Sequence, residues 1–219
     1  MRRRLYLMRH AEVSYVGRRD PEQVRLTARG REQAEAARHA LDGVELDLVV
    51  TSGLPRTVET AEVVAPGCRA EPVEDLAEWR GGRLDDIPAD ELEQMFVGGL
   101  QPEDESARFL GGETLGEALD RILPAFAELV AREWDTALAV LHGGVNRILI
   151  SHALAGGRSY FGNFEQAPAC LNVLDLGADG AWIVRTVNYI PYDPLHPARD
   201  TTMEYLWSEL KTWLDEREN

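Results

Sequence analysis

Two arginines and two histidines stand where strand-like runs of this chain end. Arg9 and His10 close the apolar run LYLM. Thr51 and Ser52 close LDLVV, with Arg56 one short loop on. His142 follows TALAVL and immediately precedes Gly143 and Gly144. In an open sheet of alternating strands and helices, ligands bind at the carboxyl ends of the strands, so these groups are expected to converge. Arginine offers planar, paired donors matched to phosphate oxygens, and a helix opening at Gly143 adds free N–H groups and the favourable end of its dipole. The set suits a dianion such as a phosphoryl group, whose transfer is chiefly positioning and charge stabilisation. A neutral imidazole among the cations can also attack phosphorus and form a covalent intermediate.

Taken singly, each residue has an ordinary reading, the arginines as surface charges and the histidines as satisfied polar side chains. Their joint placement at successive strand ends carries the argument. Other chemistry is poorly served. The five histidines (His10, His39, His142, His152, His196) form no HxxxH or HxH pair, and no cysteine is close to His10 or His142 in sequence, so no metal ligand set is read. His39 and His152 read as helix-face residues. The arginines lack interleaved aromatics, and 23 Lys+Arg against 38 Asp+Glu leave a net charge of −15. Such a field repels nucleic acid and anionic membrane, so neither is an expected partner.

The elements that must position these groups follow from pattern. Residues 4–8, 46–52, 136–142, 170–177 and 181–189 read as strands, the last two joined by a tight turn at Asp179–Gly180. Helices are expected over 27–41 with Thr27 as N-cap, over 55–65 with Pro55 at the first position, and over 113–133 with a kink near Pro124. Others are expected over 143–155 and, as an amphipathic close, over 201–216. Strands alternating with helices argue for an α/β sheet covered on both faces. The Gly-rich segment 79–112, with a short helix near 88–97, reads as an insertion over one end of the sheet, and 191–200 as a proline-stiffened connector. The whole of 1–219 reads as one domain, with 44% apolar residues for its core. Cys68 and Cys170 lie in no CxxC pair and read as structural thiols of a cytoplasmic protein. The apolar run of MRRRLYLM is too short for a signal peptide, and no stretch approaches the roughly 20 apolar residues of a spanning helix.

Six segments, in order, resemble the histidine phosphatase superfamily, also called the phosphoglycerate mutase-like family. LMRHAE (7–12) resembles its LxRHGE signature, LTARGREQA (26–34) its LTxxGxxQA helix start, and TSGLPRTVETA (51–61) its SxLxRxxxTA segment. LAEWRGGRLDDI (76–87) resembles the acid-bearing LxExxxGxxxG region, GGETLGEALDRI (111–122) the GGES-type opening of a long helix, and VLHGGVNRIL (140–149) the SHGG element. The resemblance implies a three-layer α/β/α sandwich with a mostly parallel central sheet. It implies a metal-independent phosphoric monoester hydrolase, without cofactor, acting on a small phosphorylated metabolite through a phosphohistidine. His10 would be the nucleophile. Arg9, Arg56 and His142, with Gly143 at the helix start, would hold the phosphate, and Glu78 would be the general acid. His10 must then be neutral with its attacking nitrogen bare, its other ring nitrogen held by a local backbone carbonyl. Glu78 must carry its proton as the leaving group departs, which partial burial would favour.

The chain departs from the family pattern at two places near the site. Ala11 replaces the signature glycine. Val16 stands where mutase-like members usually carry a phosphate-binding asparagine, and Ser14 or Tyr15 could stand in. Eight acids (Asp85, Asp86, Asp90, Glu91, Glu93, Glu103, Asp104, Glu105) and no Lys or Arg occupy 85–105. Placed over the site they would repel a substrate with extra negative charge, which favours a phosphatase over a phosphoglycerate mutase. Pointing to solvent, they would say nothing. A phosphoglycerate mutase-like phosphotransferase and a non-catalytic phosphate-binding member are the alternatives. Tyr15, Trp79, Met95 and Phe96 are candidates to shape the pocket. Trp207, Leu210, Trp213 and Leu214 of the last helix are read as packing on the core, with a homodimer contact as the other reading.

Overall fold

Strands that are apolar on both faces must be covered on both faces, and this chain supplies the two covers. The computed structural model describes residues 2–17, 20–82, 87–97 and 104–218. Its central sheet has the order β3-β2-β4-β1-β5-β6, formed by β1 (Arg3–Arg9), β2 (Leu48–Thr51), β3 (Ala70–Pro72), β4 (Thr136–Leu141), β5 (Leu171–Leu176) and β6 (Trp182–Tyr189). The four strands β3, β2, β4 and β1 run parallel, and β5 and β6 are antiparallel additions. Leu5 and Leu7 of β1 and Ala137, Ala139 and Leu141 of β4 face one side, where α4 (Leu115–Ala131) and α5 (Gly143–Ala155) contribute Leu119, Ile122, Phe126, Val145 and Ile148. Met8, Leu138 and Val140 face the other side, under Ala34 and Ala37 of α1 (Ala28–Ala40) and Ala61 and Val64 of α2 (Pro55–Val64). The three-layer sandwich thus follows from a period of two in the strands and of 3.6 in the helices.

The start of α1 shows why its motif has the residues it has. Thr27 Oγ1 caps the helix by accepting from Gly30 N at 2.9 Å. Thr27 N donates to the Glu12 carbonyl at 3.1 Å, and Gln33 Oε1 accepts from Glu12 N at 2.9 Å. A Cβ on Gly30 would lie 2.2 Å from that same carbonyl. Threonine, glycine and glutamine therefore seat the loop that leaves β1, two residues beyond His10.

Two features differ from expectation. Strand β3 does not stand out in the sequence because it is three residues long, mostly exposed and ends in Pro72. Among the described residues, the last helix, α6 (Thr202–Glu218), contributes no side chain to either core. It packs on α3 (Ala89–Val97), where the rings of Trp207 and Phe96 are 5.9 Å apart, and Trp213 Nε1 lies 3.7 Å from the position of a Cβ on Gly17. Trp207 thus serves a contact with the 79–112 segment and Trp213 lies by the loop after β1, where core packing is the expectation. Pro124 sits within α4. No helix among the described residues is long and apolar enough to cross a membrane.

Candidate active site

The parallel strands end side by side, and their carboxyl ends bring Arg9, His10, Ser52 and His142 together in the interior, with Arg56 from α2. All five are more than nine-tenths buried. The imidazoles of His10 and His142 meet edge to face with centroids 5.3 Å apart. Nδ1 of His10 is 2.8 Å from the carbonyl oxygen of Ala11, the local acceptor its chemistry requires, which leaves Nε2 bare when Nδ1 holds the ring proton. Ala11 itself is fully buried, donates its N–H to Thr60 Oγ1 at 3.0 Å and has no positive φ. The alanine thus fits without the backbone freedom of glycine.

His142 is oriented from behind. Its Nε2 is 2.7 Å from Ser52 Oγ, which is 3.1 Å from Thr57 Oγ1, whose hydroxyl donates to the Leu54 carbonyl. Arg9 is tied by Nη1 to the Gln166 carbonyl, and Arg56 by Nη1 to the carbonyls of Pro21 and Glu22 at 3.2 and 3.5 Å. Arg9 Nε, Arg56 Nε and His142 Nδ1 are buried without a hydrogen-bond partner among the described residues. Buried donors are rarely left so, and three in one site are what an anion would satisfy.

Glu78 stands opposite, at the start of α5. Its carboxylate accepts from the N–H groups of Trp79 at 2.9 Å, Gly144 at 3.1 Å and Val145 at 3.3 Å. A Cβ on Gly144 would lie 2.7 Å from Glu78 Oε1, so the second glycine of the HGG segment is there to let the carboxylate approach the helix. Arg121 of α4 holds the chain beneath Glu78, donating to the carbonyls of Asp75 at 2.8 Å, Ala77 at 2.9 Å and Glu78 at 3.3 Å while pairing with Glu113. A cavity beside these groups is lined by Arg9, Glu78, Gly143, Gly144 and Arg147 with aromatic walls from Trp79, Phe109 and Tyr160.

The sequence-predicted residues Arg9, His10, Glu78, Arg56, His142 and Gly143 therefore meet in one region. Of the expected pocket-shaping residues only Trp79 lines the cavity. Phe96 is under Trp207, and Tyr15 packs on the face covered by α1 and α2. Four acids of the 85–105 run are described, and they follow the solvent-pointing reading. Glu91, Glu93, Asp104 and Glu105 are exposed, Asp104 caps Ser106, and Glu105 is forked to Arg158 at 2.6 and 2.7 Å. None of these four lines the cavity. Asp85, Asp86, Glu103 and the side chain of Asp90 lie outside the described residues. Ser52, Thr60, Arg121 and Arg147 gained no role from the sequence, because each acts through a partner distant along the chain.

Both histidines are held neutral. Burial is the first cause and the Arg56 guanidinium the second, and together they push each imidazolium well below the ordinary value of 6.5. The linkage follows from proton uptake. Above pH 6.5 neither the folded nor the unfolded chain binds these protons; below it the unfolded chain does and the folded chain does not. Stability is therefore expected to fall as pH drops from 6.5, by up to about 1.4 kcal/mol per pH unit for each histidine. Urea unfolding between pH 7.5 and 5.5 measures this, and His10→Asn is expected to remove about half of the slope in that window. An unchanged slope would show that His10 takes up its proton as readily folded as unfolded.

Comparison with known proteins agrees with the geometry. The family model for the histidine phosphatase superfamily, branch 1, matches residues 5–189. A probable phosphoglycerate mutase, GpmB, of Salmonella paratyphi A is 28% identical over 70% of this chain and 71% of that protein. A probable 2-carboxy-D-arabinitol-1-phosphatase of Arabidopsis thaliana is 28% identical over 78% of this chain and 37% of that longer protein. Among solved structures, the alpha-ribazole phosphatase of Shigella flexneri matches with a TM-score of 0.66 and 25% identity, over 84% of this chain and 96% of that one.

Proposed function

The chain belongs to the histidine phosphatase superfamily, and from that premise we propose that it is a metal-independent phosphomonoesterase that works through a phosphohistidine. The ester's phosphoryl group sits among Arg9, Arg56 and His142, whose unpartnered buried donors face it. The lone pair of His10 Nε2 attacks phosphorus as the bond from phosphorus to the alcohol oxygen breaks, and Glu78 gives that oxygen its proton. Water then attacks the phosphoryl group, Glu78 takes a proton from it, and the N–P bond breaks to release inorganic phosphate. Throughout, the Ala11 carbonyl keeps the proton on Nδ1 of His10. When Ser52 donates to Nε2 of His142, that ring carries its own proton on Nδ1 and can donate it to a phosphate oxygen.

The observation that carries hydrolysis over phosphoryl transfer is the charge on the leaving-group side of the cavity. A mutase must hold a second phosphoryl group there while the alcohol is doubly phosphorylated. Among the described residues that side offers one cation, Arg147, amid Trp79, Phe109, Tyr160 and Met203. The relatives include a probable mutase as well as phosphatases. The test is phosphate release from a panel of phosphate monoesters, including para-nitrophenyl phosphate, beside an assay for transfer to a second hydroxyl. Release from several esters without transfer is expected. Strong mutase activity with little release would overturn the reading, and turnover of neither kind would point to a phosphate-binding protein. The two unpaired cysteines, Cys68 and Cys170, fit a reducing cytoplasm.

A further inference from the structure

The hydroxyl chain behind His142 contains one more contact than its hydroxyls have protons. His142 Nε2 is 2.7 Å from Ser52 Oγ, Ser52 Oγ is 3.1 Å from Thr57 Oγ1, and Thr57 Oγ1 is 2.8 Å from the Leu54 carbonyl oxygen. Each contact needs one proton, the carbonyl has none to give, and two hydroxyls supply two. All three side chains are buried, so the third proton must come from the ring. With the ring proton on Nε2 every contact is filled. Nε2 donates to Ser52, Ser52 to Thr57 and Thr57 to the carbonyl, while the remaining lone pair of Ser52 accepts from Leu54 N at 3.4 Å. With the ring proton on Nδ1, Ser52 must donate to Nε2 instead. Ser52 Oγ and Thr57 Oγ1 then face each other with no hydrogen between them, a costly arrangement for buried groups.

Nδ1, buried without a partner among the described residues, is then a bare lone pair. The oxygens of a phosphoryl dianion are lone pairs too, and the two can bond only through a proton. A neutral ring can serve the hydroxyl chain or the phosphate, one at a time; an imidazolium serves both. We propose that Ser52 and Thr57 are positioning residues that keep the ring proton of His142 on Nε2, so that a phosphoryl dianion is bound together with one proton, taken up at Nδ1. The inference rests on the reading that a phosphoryl group occupies this site, and not on its hydrolysis. An ester that enters as its monoanion brings the proton; one that enters as its dianion takes it from solvent. The groups whose charge bears on His142 are Arg56 of α2, Arg9 and His10 at the end of β1, and Arg121 of α4. They disfavour an imidazolium while no anion is present, and a dianion among them reverses the local field. Glu78, across the site, is seated on the N–H groups of α5.

Sulfate is the probe, because it is a tetrahedral dianion with no proton of its own near neutral pH. The complex would hold one proton more than the free chain, so binding weakens as pH rises. Between about pH 6.5 and 7.5 the Kd of the full wild-type chain for sulfate is expected to rise about tenfold, one proton per anion. Ser52→Ala and Thr57→Val should each cut that rise to less than about threefold. Either change lets the ring proton settle on Nδ1, in Thr57→Val because Ser52 is then free to donate to Nε2. Glu78→Gln should keep the rise. In nitrogen-15 spectra of histidine-labelled chain, His142 should carry one N–H, at Nε2, without sulfate and two with it. A wild-type rise below about threefold, a full rise in Ser52→Ala and Thr57→Val, its loss in Glu78→Gln, a free His142 protonated at Nδ1, or no binding of sulfate would each overturn the proposal. The wild-type titration and spectra decide even if a variant does not fold, which thermal melting reports. Because binding needs no turnover, a chain that takes up the proton but releases no phosphate from any ester would overturn the hydrolase reading and sustain this one.

Discussion

Replacing His10 with alanine is expected to lower kcat for phosphate release by at least about 10⁴, or roughly 5.5 kcal/mol of transition-state stabilisation. The expectation rests on where the residue stands. Its ring is buried between Arg9, Arg56 and His142, kept neutral by that burial and by the arginines, and fixed at Nδ1 by the Ala11 carbonyl 2.8 Å away. Alanine removes the one atom placed to form a bond to phosphorus and leaves the anion-binding donors where they are. Affinity for inorganic phosphate or vanadate should therefore change by no more than about tenfold while turnover collapses. The same variant should accumulate no acid-labile phosphoenzyme when quenched with radiolabelled substrate, whereas the wild type should. Retained turnover within about tenfold of wild type would mean that water attacks phosphorus directly and that His10 only helps to bind it. Removing a neutral imidazole that lies between two cations leaves no uncompensated charge, so a melting curve should separate this result from loss of fold.

The sequence and the structure agree most where the physics is local or repeats along the chain. The runs LYLM and TALAVL are legible as strands because the sheet is covered twice, and both faces of β1 and β4 are apolar as a result. The site is legible for a related reason. A parallel sheet aligns the carboxyl ends of its strands, so Arg9, His10 and His142 need no tertiary information to be placed together. What is not legible depends on pairing across the chain. Arg147 sits in a helix that reads as apolar, and its place shows only in the fold, where Nε donates to the distant Phe164 carbonyl and the guanidinium lines the cavity. Arg121 matters because it grips the carbonyls beneath Glu78, more than 40 residues earlier. The acids of 85–105 are plain in the sequence, but their direction is not, and Glu105 turns out to be occupied by Arg158. Likewise the aromatic residues of α6 announce a buried contact without saying whose. For Trp207 the partner is Phe96 of α3.

The second large effect is expected at Glu78, and it should depend on the ester. Glu78→Gln keeps the shape of the side chain, and the amide oxygen can still accept from Trp79, Gly144 and Val145 where Oε1 now does. Stability should change by less than about 1 kcal/mol, since the bonds at the other oxygen are few. The loss is of a proton that can be given and retaken. For an alkyl phosphate, whose alkoxide is a poor leaving group, the first step needs that proton, and kcat should fall by about 10²–10⁴. For para-nitrophenyl phosphate the phenolate leaves unaided, so His10 should still be phosphorylated at close to the normal rate. The second step then becomes the slow one, because water attacking the phosphohistidine has lost its base. Stopped-flow measurement should show a burst of nitrophenol stoichiometric with enzyme, followed by slow steady turnover, and the phosphoenzyme should become easier to trap than in the wild type. Equal losses on both esters with no burst would assign Glu78 a purely positioning role at the head of α5, like that of Gly144, and the proton would have to come from elsewhere. The burst is thus the more discriminating observation, because a distorted helix N-terminus would slow both steps and could not make the intermediate accumulate.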